Sequence, residues 1–262
     1  MSIICPLFSG STGNSTYIGT KNGAILIDAG ASMKRIMEAV ENAGGSRDEI
    51  KAIAVTHQHN DHITGLKPVL NKLKIPLIAS QKTAEALISG DKIPKDTKVI
   101  VIDEDGVDIN GIFIKRFATS HDCEGSSGYN VLLPDQKIFT LCTDLGVVTD
   151  AVRESLYGSD LVLLESNHDV EMLKRGPYPP ELKVRILSDK GHISNNSCAA
   201  ELCGLLQKGT KRFILGHLSQ NNNTPLLARS AAESALVDIG AENGKDYLLS
   251  VAKPTGNGVT VI

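Results

Sequence analysis

Residues 55–65 read VTHQHNDHITG and place His57, His59, Asp61 and His62 where an apolar run, KAIAVT, gives way to a helical pattern. Alternate residues of a strand share a face, so His57 and His59 leave the strand end on one side, and Asp61 and His62 follow where the chain turns. These nitrogen and oxygen donors suit a divalent metal: imidazole and carboxylate hold Zn²⁺, and also Mn²⁺ or Fe²⁺ where oxygen is abundant. Four donors are too few for two metals and one too many for a catalytic zinc that keeps a position for water. Further ligands must come from distant parts of the chain, so the fold has to gather several strand ends at one place.

The candidates are few. The remaining histidines are His121 in FATSHDCEGSSGY, His168 in LLESNHD, His192 in SDKGHISNN and His217 in FILGHLSQNN, and each falls at a strand end or in a loop. Asp144 in IFTLCTDLG follows an apolar strand, where an aspartate serves either as a ligand or as a helix cap. GHISNN and GHLSQNNN look like copies, but their flanks differ. His192 follows a polar loop and opens a helical pattern, whereas His217 ends a strand.

Strands SIICPLF, STYIG and AILIDAG lead, and a helical pattern over Ser32–Ala43 stops at Gly44-Gly45. Strand and helix then alternate to Ser89, residues 97–143 are mainly strands, and alternation returns to the end. Two such halves predict an α/β fold: an αββα sandwich of two facing mixed sheets with helices outside, spanning residues 1–262 as one domain.

The net charge of -3 confines any polyanion binding to a local patch. Residues 171–190 carry Lys174, Arg175, Lys183, Arg185 and Lys190 among three prolines, and fit either a solvated loop with a short helix or a substrate-contacting insertion; Lys211 and Arg212 add the only other concentrated positive charge. The loop SGSTGNS, with Ser11 and Asn14, is either a hairpin turn or a presenter of backbone N–H groups to an anion. Cys5, Cys123, Cys142, Cys198 and Cys203 have no C-x-x-C spacing, which argues against both a disulfide framework and a zinc-thiolate site and predicts reduced, mostly buried thiols. With no basic leader and no membrane-length apolar run, a cytoplasmic protein without membrane insertion is expected; oligomerisation stays open.

The ordered motifs resemble those of the metallo-β-lactamase superfamily over nearly the whole chain. AILIDAG resembles its first motif and THQHNDH its signature. The resemblance implies the sandwich fold and two divalent ions, zinc slightly favoured over manganese. It places His57, His59 and His121 on one ion and Asp61 and His62 on the other, with Asp144 bridging and Asp28 supporting the ligand loop.

LFSGSTGNSTYI, ESNHD and the two GH[IL]S stretches resemble the YycJ/WalJ group, which is similar in its late motifs to the tRNA 3′-end processing nucleases. By that resemblance His217 is the last metal ligand and His192 a catalytic residue paired with an upstream glutamate. Glu165 is the residue carried over, although here it precedes Asn167 and His168 rather than following a histidine. His168 is either a catalytic or phosphate contact or a loop histidine bonded to backbone. The group implies 5′-to-3′ exonuclease activity on double-stranded DNA.

Two metals roughly 3.5–4 Å apart share a hydroxide and stabilise the attacking and leaving oxygens, and a carboxylate-oriented histidine protonates the leaving group. Hydrolysis of a small ester, thioester, lactone, β-lactam or cyclic phosphodiester is the alternative, and a non-catalytic signalling module is another. The complete ligand set argues against the last, and the basic insertion argues for nucleic acid, with Ser11, Asn14, Lys174, Arg175, Lys183 and Arg185 as candidate substrate contacts.

Overall fold

A computed structural model describes residues 1–262. Its first half contributes β1 (Ile3–Phe8), β2 (Ser15–Thr20), β3 (Gly23–Ile27), β4 (Ile50–Ala54), β5 (Leu77–Ala79) and β6 (Val99–Val101). Its second half contributes β7 (Val107–Ile109), β8 (Ile112–Ala118), β9 (Ser127–Leu132), β10 (Ile138–Cys142), β11 (Leu161–Glu165), β12 (Arg212–Gly216) and β13 (Leu248–Val251), followed by β14 (Thr260–Val261). One sheet runs β14-β1-β2-β3-β4-β5-β6 and the other β13-β12-β11-β10-β9-β8-β7. Each is antiparallel toward one edge and parallel toward the other: β3 to β6 are mutually parallel, as are β10 to β13.

The inward residues of the two sheets interlock. Ile18, Ile25, Ile27 and Ile78 of the first meet Ile114, Tyr129, Phe139, Leu163 and Ile214 of the second in one buried cluster. The Tyr129 hydroxyl crosses this layer and donates to the Val55 carbonyl at 2.6 Å, so even the polar atom of the largest core side chain is satisfied.

Nine helices complete the chain: α1 (Met33–Asn42), the single turn α2 (Asn60–Ile63), α3 (Leu66–Leu73), α4 (Gln81–Ser89), α5 (Asp150–Leu156), α6 (Val170–Arg175), α7 (Pro180–Ile186), α8 (Asn195–Gln207) and α9 (Pro225–Asp238). Apolar faces of α1, α3 and α4 cover the first sheet, and those of α5, α8 and α9 cover the second. Helix starts follow their caps: Ser32, Ser80, Thr149 and Ser194 each accept a bond from a backbone N–H of the first turn. None of the helices is long and apolar enough to cross a membrane.

Two features depart from the sequence reading. GVTVI yields β14, which leaves the second half and pairs antiparallel with β1, so each sheet draws strands from both ends of the chain or from its middle alone. Residues 171–190 hold two short helices, because Asp169 caps α6 and Pro180 occupies the first turn of α7, where its missing N–H costs nothing.

Candidate metal centre

The site lies beyond the carboxyl ends of the parallel strands, where open α/β sheets bind their ligands. Residues after β3, β4, β10, β11 and β12 all reach it. Three of them, Asp28, Asp144 and His217, have φ of 63°, 59° and 54°. Left-handed backbone costs a non-glycine residue on the order of 1–3 kcal/mol and persists only where the surroundings enforce it. Here it turns each side chain off its strand axis toward the same point.

Asp28 is fully engaged: its carboxylate accepts the Thr56 N–H at 2.8 Å and the Thr56 hydroxyl at 2.9 Å, and pairs with His62 Nδ1 at 2.7 Å. That contact orients His62 so that Nε2 lies 3.3 Å from Asp144 Oδ2 and 3.4 Å from Asp61 Oδ2. The SGSTGNS loop braces the arrangement from below. Asn14 N–H donates to the Asp61 carbonyl at 2.8 Å, Asn14 Nδ2 lies 3.1 Å from His62 Nε2, and Ser9 Oγ accepts the His217 N–H at 2.8 Å. Gly30 is needed beside it, since a Cβ there would sit 1.7 Å from the Asp61 carbonyl oxygen.

Donor atoms gather in overlapping sets, each within 4.8 Å: His57, His59, His121 and Cys123; His57, His62 and Asp144; Asp61, His62 and His217; and Asp144, Glu165, His192 and His217. His57 Nε2, His121 Nε2 and Asp144 Oδ2 are buried without a hydrogen-bond partner. Buried polar atoms are nearly always paired, so three orphans from three separate segments fit a site built for cations. The donor chemistry agrees: imidazoles and carboxylates are what divalent zinc or manganese takes.

Glu165 sits at the back of the centre, fully buried. Its Oε1 pairs with His192 Nδ1 at 2.8 Å and with His217 Nδ1 at 2.7 Å, while Oε2 accepts the backbone N–H groups of Leu145 and Ile193 at 3.3 and 3.2 Å. Burial pushes this carboxyl up, but His192 and His217 outweigh burial and hold it at about 2. Burial likewise lowers His217, yet Asp144, Asp61 and Glu165 raise it to about 10 in the metal-free protein.

A cavity of about 220 Å³ opens over these groups. Asp61, His121, Asp144, His192 and His217 face it from below, and Tyr178, Leu182, Arg185 and Ile186 wall it from the 171–190 insertion. Among the expected substrate contacts, Ser11 and Arg185 line it, and Asn14 lies beneath. Lys174 and Arg175 instead reach Glu171, and Lys183 donates to the Lys174 carbonyl, all on the exposed side. Arg212 opens β12 whereas His217 follows its last residue, so Lys211 and Arg212 stand roughly 16 Å away at about 3.3 Å per residue, at the opposite strand end. They do not extend the basic surface of the insertion.

His168 is buried, both of its ring nitrogens lack partners, and it does not line the cavity. Burial lowers it to about 4. Neither a ring bond to backbone nor a place in the cavity is observed. Asp122 was not anticipated: Oδ1 lies 3.5 Å from His59 Nε2 and 3.3 Å from His121 Nε2, and Oδ2 accepts Arg185 Nε at 2.6 Å. Its only sequence signal is adjacency to His121.

The geometry agrees with family comparison. A model of the beta-lactamase superfamily domain matches residues 24–218. The chain belongs to the metallo-β-lactamase superfamily. Within that superfamily it is 36% identical over 250 residues to the exodeoxyribonuclease YycJ of Bacillus anthracis, covering 95% of this chain and 94% of that one. It is also 36% identical over 251 residues to the exodeoxyribonuclease WalJ of Streptococcus pneumoniae, covering 95% and 93%. Zinc-bound PqqB from Methylobacterium extorquens shares the fold, with a TM-score of 0.72 at 15% identity over the full length of both chains. This superfamily member is a metal-dependent hydrolase of the YycJ/WalJ group.

Proposed function

We propose that the chain is an exodeoxyribonuclease that digests double-stranded DNA from 5′ to 3′ with two divalent ions. His57, His59 and His121 would hold one ion, Asp61, His62 and His217 the other, and Asp144 would lie between them. Asp28 holds the ligand loop by fixing His62. Bound there, the ions supply activation of a water near neutral pH and neutralise charge on the phosphodiester in flight.

The observation that carries this reading is the pairing of Glu165 with His192. With Nδ1 committed to the carboxylate, the other ring nitrogen of His192, a residue that lines the cavity, is the one left to carry a proton to substrate when the ring is protonated. Asp61 orients the attacking water, whose proton leaves to solvent; the new O–P bond forms as P–O3′ breaks, and His192 Nε2 passes its proton to the departing 3′ oxygen. Glu165 balances the charge on the imidazolium before transfer. Arg185, held by Asp122 at the cavity wall, contacts a backbone phosphate, and Ser11 contacts the strand from the other side. His168 receives no contact with substrate in this scheme.

The relatives named as exodeoxyribonucleases support DNA as substrate. The test is digestion of end-labelled double- and single-stranded DNA and RNA across a metal screen, with Asp144→Ala as control. Metal-dependent release of mononucleotides from duplex 5′ ends is expected. Turnover of lactones, thioesters or cyclic phosphodiesters with no DNA hydrolysis above the control would replace this reading with small-molecule hydrolysis.

A further inference from the structure

One side of the centre has a donor that the ligand motif does not include. Cys123 places Sγ within 4.8 Å of donor nitrogens of His57, His59 and His121. It sits two residues after His121 in the loop joining β8 to β9, so one turn of chain delivers both. The Nε2 atoms of His57 and His121 are buried beside it and form no hydrogen bond, with only the Asp122 carboxylate, 3.3 Å from the latter, close by, which marks the space between these side chains as one suited to a cation.

Zinc bonds of about 2.0–2.1 Å to nitrogen and 2.3 Å to sulfur put two ligands of a tetrahedral ion roughly 3.3–3.6 Å apart. A set already inside 4.8 Å closes around an ion with movements of little more than about 1 Å, and Cys123 is half-buried in a loop. The sets on the opposite side, Asp61 with His62 and His217 and Asp144 with Glu165, His192 and His217, contain no sulfur. Soft thiolate selects zinc against manganese, whereas a mixed imidazole and carboxylate set accepts either.

We propose that Cys123 is a thiolate ligand of the ion held by His57, His59 and His121, and that it makes this position selective for zinc. As the sulfur–metal bond forms, the thiol proton leaves to solvent. With three nitrogens, a sulfur and the Asp144 carboxylate on its inner side, this ion would be held by more protein donors than its neighbour. The inference rests on the metal centre and not on DNA as substrate.

The test uses the whole chain stripped of metal and titrated with Co²⁺ in the absence of any nucleic acid. A thiolate-to-cobalt charge-transfer band in the near ultraviolet is expected to grow with the first equivalent and to be absent in Cys123→Ala. Zinc affinity at that position is expected to fall by more than the roughly 10–100-fold that loss of a group supporting a ligand costs, while manganese affinity changes less than about twofold. A wild-type protein that binds its first cobalt without the band overturns the proposal. So does a Cys123→Ala protein with unchanged preference for zinc over manganese. If the variant does not fold by circular dichroism, the wild-type cobalt spectrum decides alone.

Discussion

His192 and His217 present their Nδ1 atoms to one and the same oxygen of Glu165. A single buried carboxylate thus sets the orientation of two imidazoles from different segments, and their remaining nitrogens point into one cavity. The near-copied GHIS and GHLS stretches are related through this shared partner rather than through a shared role.

The roles separate by measurement. His217→Ala is expected to lose about one equivalent of metal, read by elemental analysis. His192→Ala is expected to keep both ions and lose about 10²–10⁴-fold in kcat, the usual worth of a general acid. The opposite pairing of outcomes would exchange the two assignments.

Glu165→Gln tests the hub itself. Both carboxylate oxygens accept from N–H donors, so an amide nitrogen in place of either meets a donor head-on. Loss of turnover together with about 10–100-fold weaker metal binding is expected, since both imidazoles are released at once. Metal affinity equal to wild type would mean that His217 is oriented without Glu165.

The basic insertion divides into one residue that lines the cavity, Arg185, and several that face away. Arg185→Ala is expected to weaken duplex binding and to reduce the slope of log K against log salt by about 1, the contribution of one phosphate contact. Replacing Lys174, Arg175 and Lys183 together with alanine is expected to leave both within about twofold of wild type. A larger effect from the triple variant than from Arg185→Ala would move the DNA path to the outer face of α6 and α7.

Metal-free protein should lose stability with rising pH. His217 is raised to about 10 when folded, against about 6.5 unfolded. A raised pKa stabilises fully below the unfolded value and is lost as pH climbs through the folded one, so denaturation midpoints should fall between about pH 6.5 and 10. Zinc uptake at neutral pH should release protons, measurable by titration calorimetry in buffers of different ionisation enthalpy. Uptake without proton release would show that His217 is neutral before metal arrives.

Gly30→Ala is expected to destabilise the protein by about 1–3 kcal/mol through overpacking and to lower its metal content, because the added carbon collides with the Asp61 carbonyl. A thermal melt at wild-type temperature with full metal would show that the loop gives way instead.

The clustering of donors was legible because strand periodicity and donor density coincide at residues 55–65, and because His121, Asp144 and His217 follow apolar runs. The sandwich was legible from two strand-then-helix halves. What stayed hidden depends on backbone conformation or on distance between segments. Nothing local announces that Asp28, Asp144 and His217 are left-handed, since aspartate and histidine are also common in ordinary turns. The hub role of Glu165 needs two partners 27 and 52 residues away. Counting positive charge along the chain grouped Lys211 and Arg212 with the insertion, although five residues of extended strand separate them from the site.

The order in which the ligands leave the ribosome is set by the same topology. Asp28 and the histidine-rich loop emerge early, but Glu165 and His217 follow only with the central strands of the second sheet, β11 and β12, on the order of 10–30 s later at 5–20 residues per second. The strand that closes the first sheet, β14, comes later still. A nascent chain therefore carries half a metal site for most of its synthesis and acquires a working one only near the end.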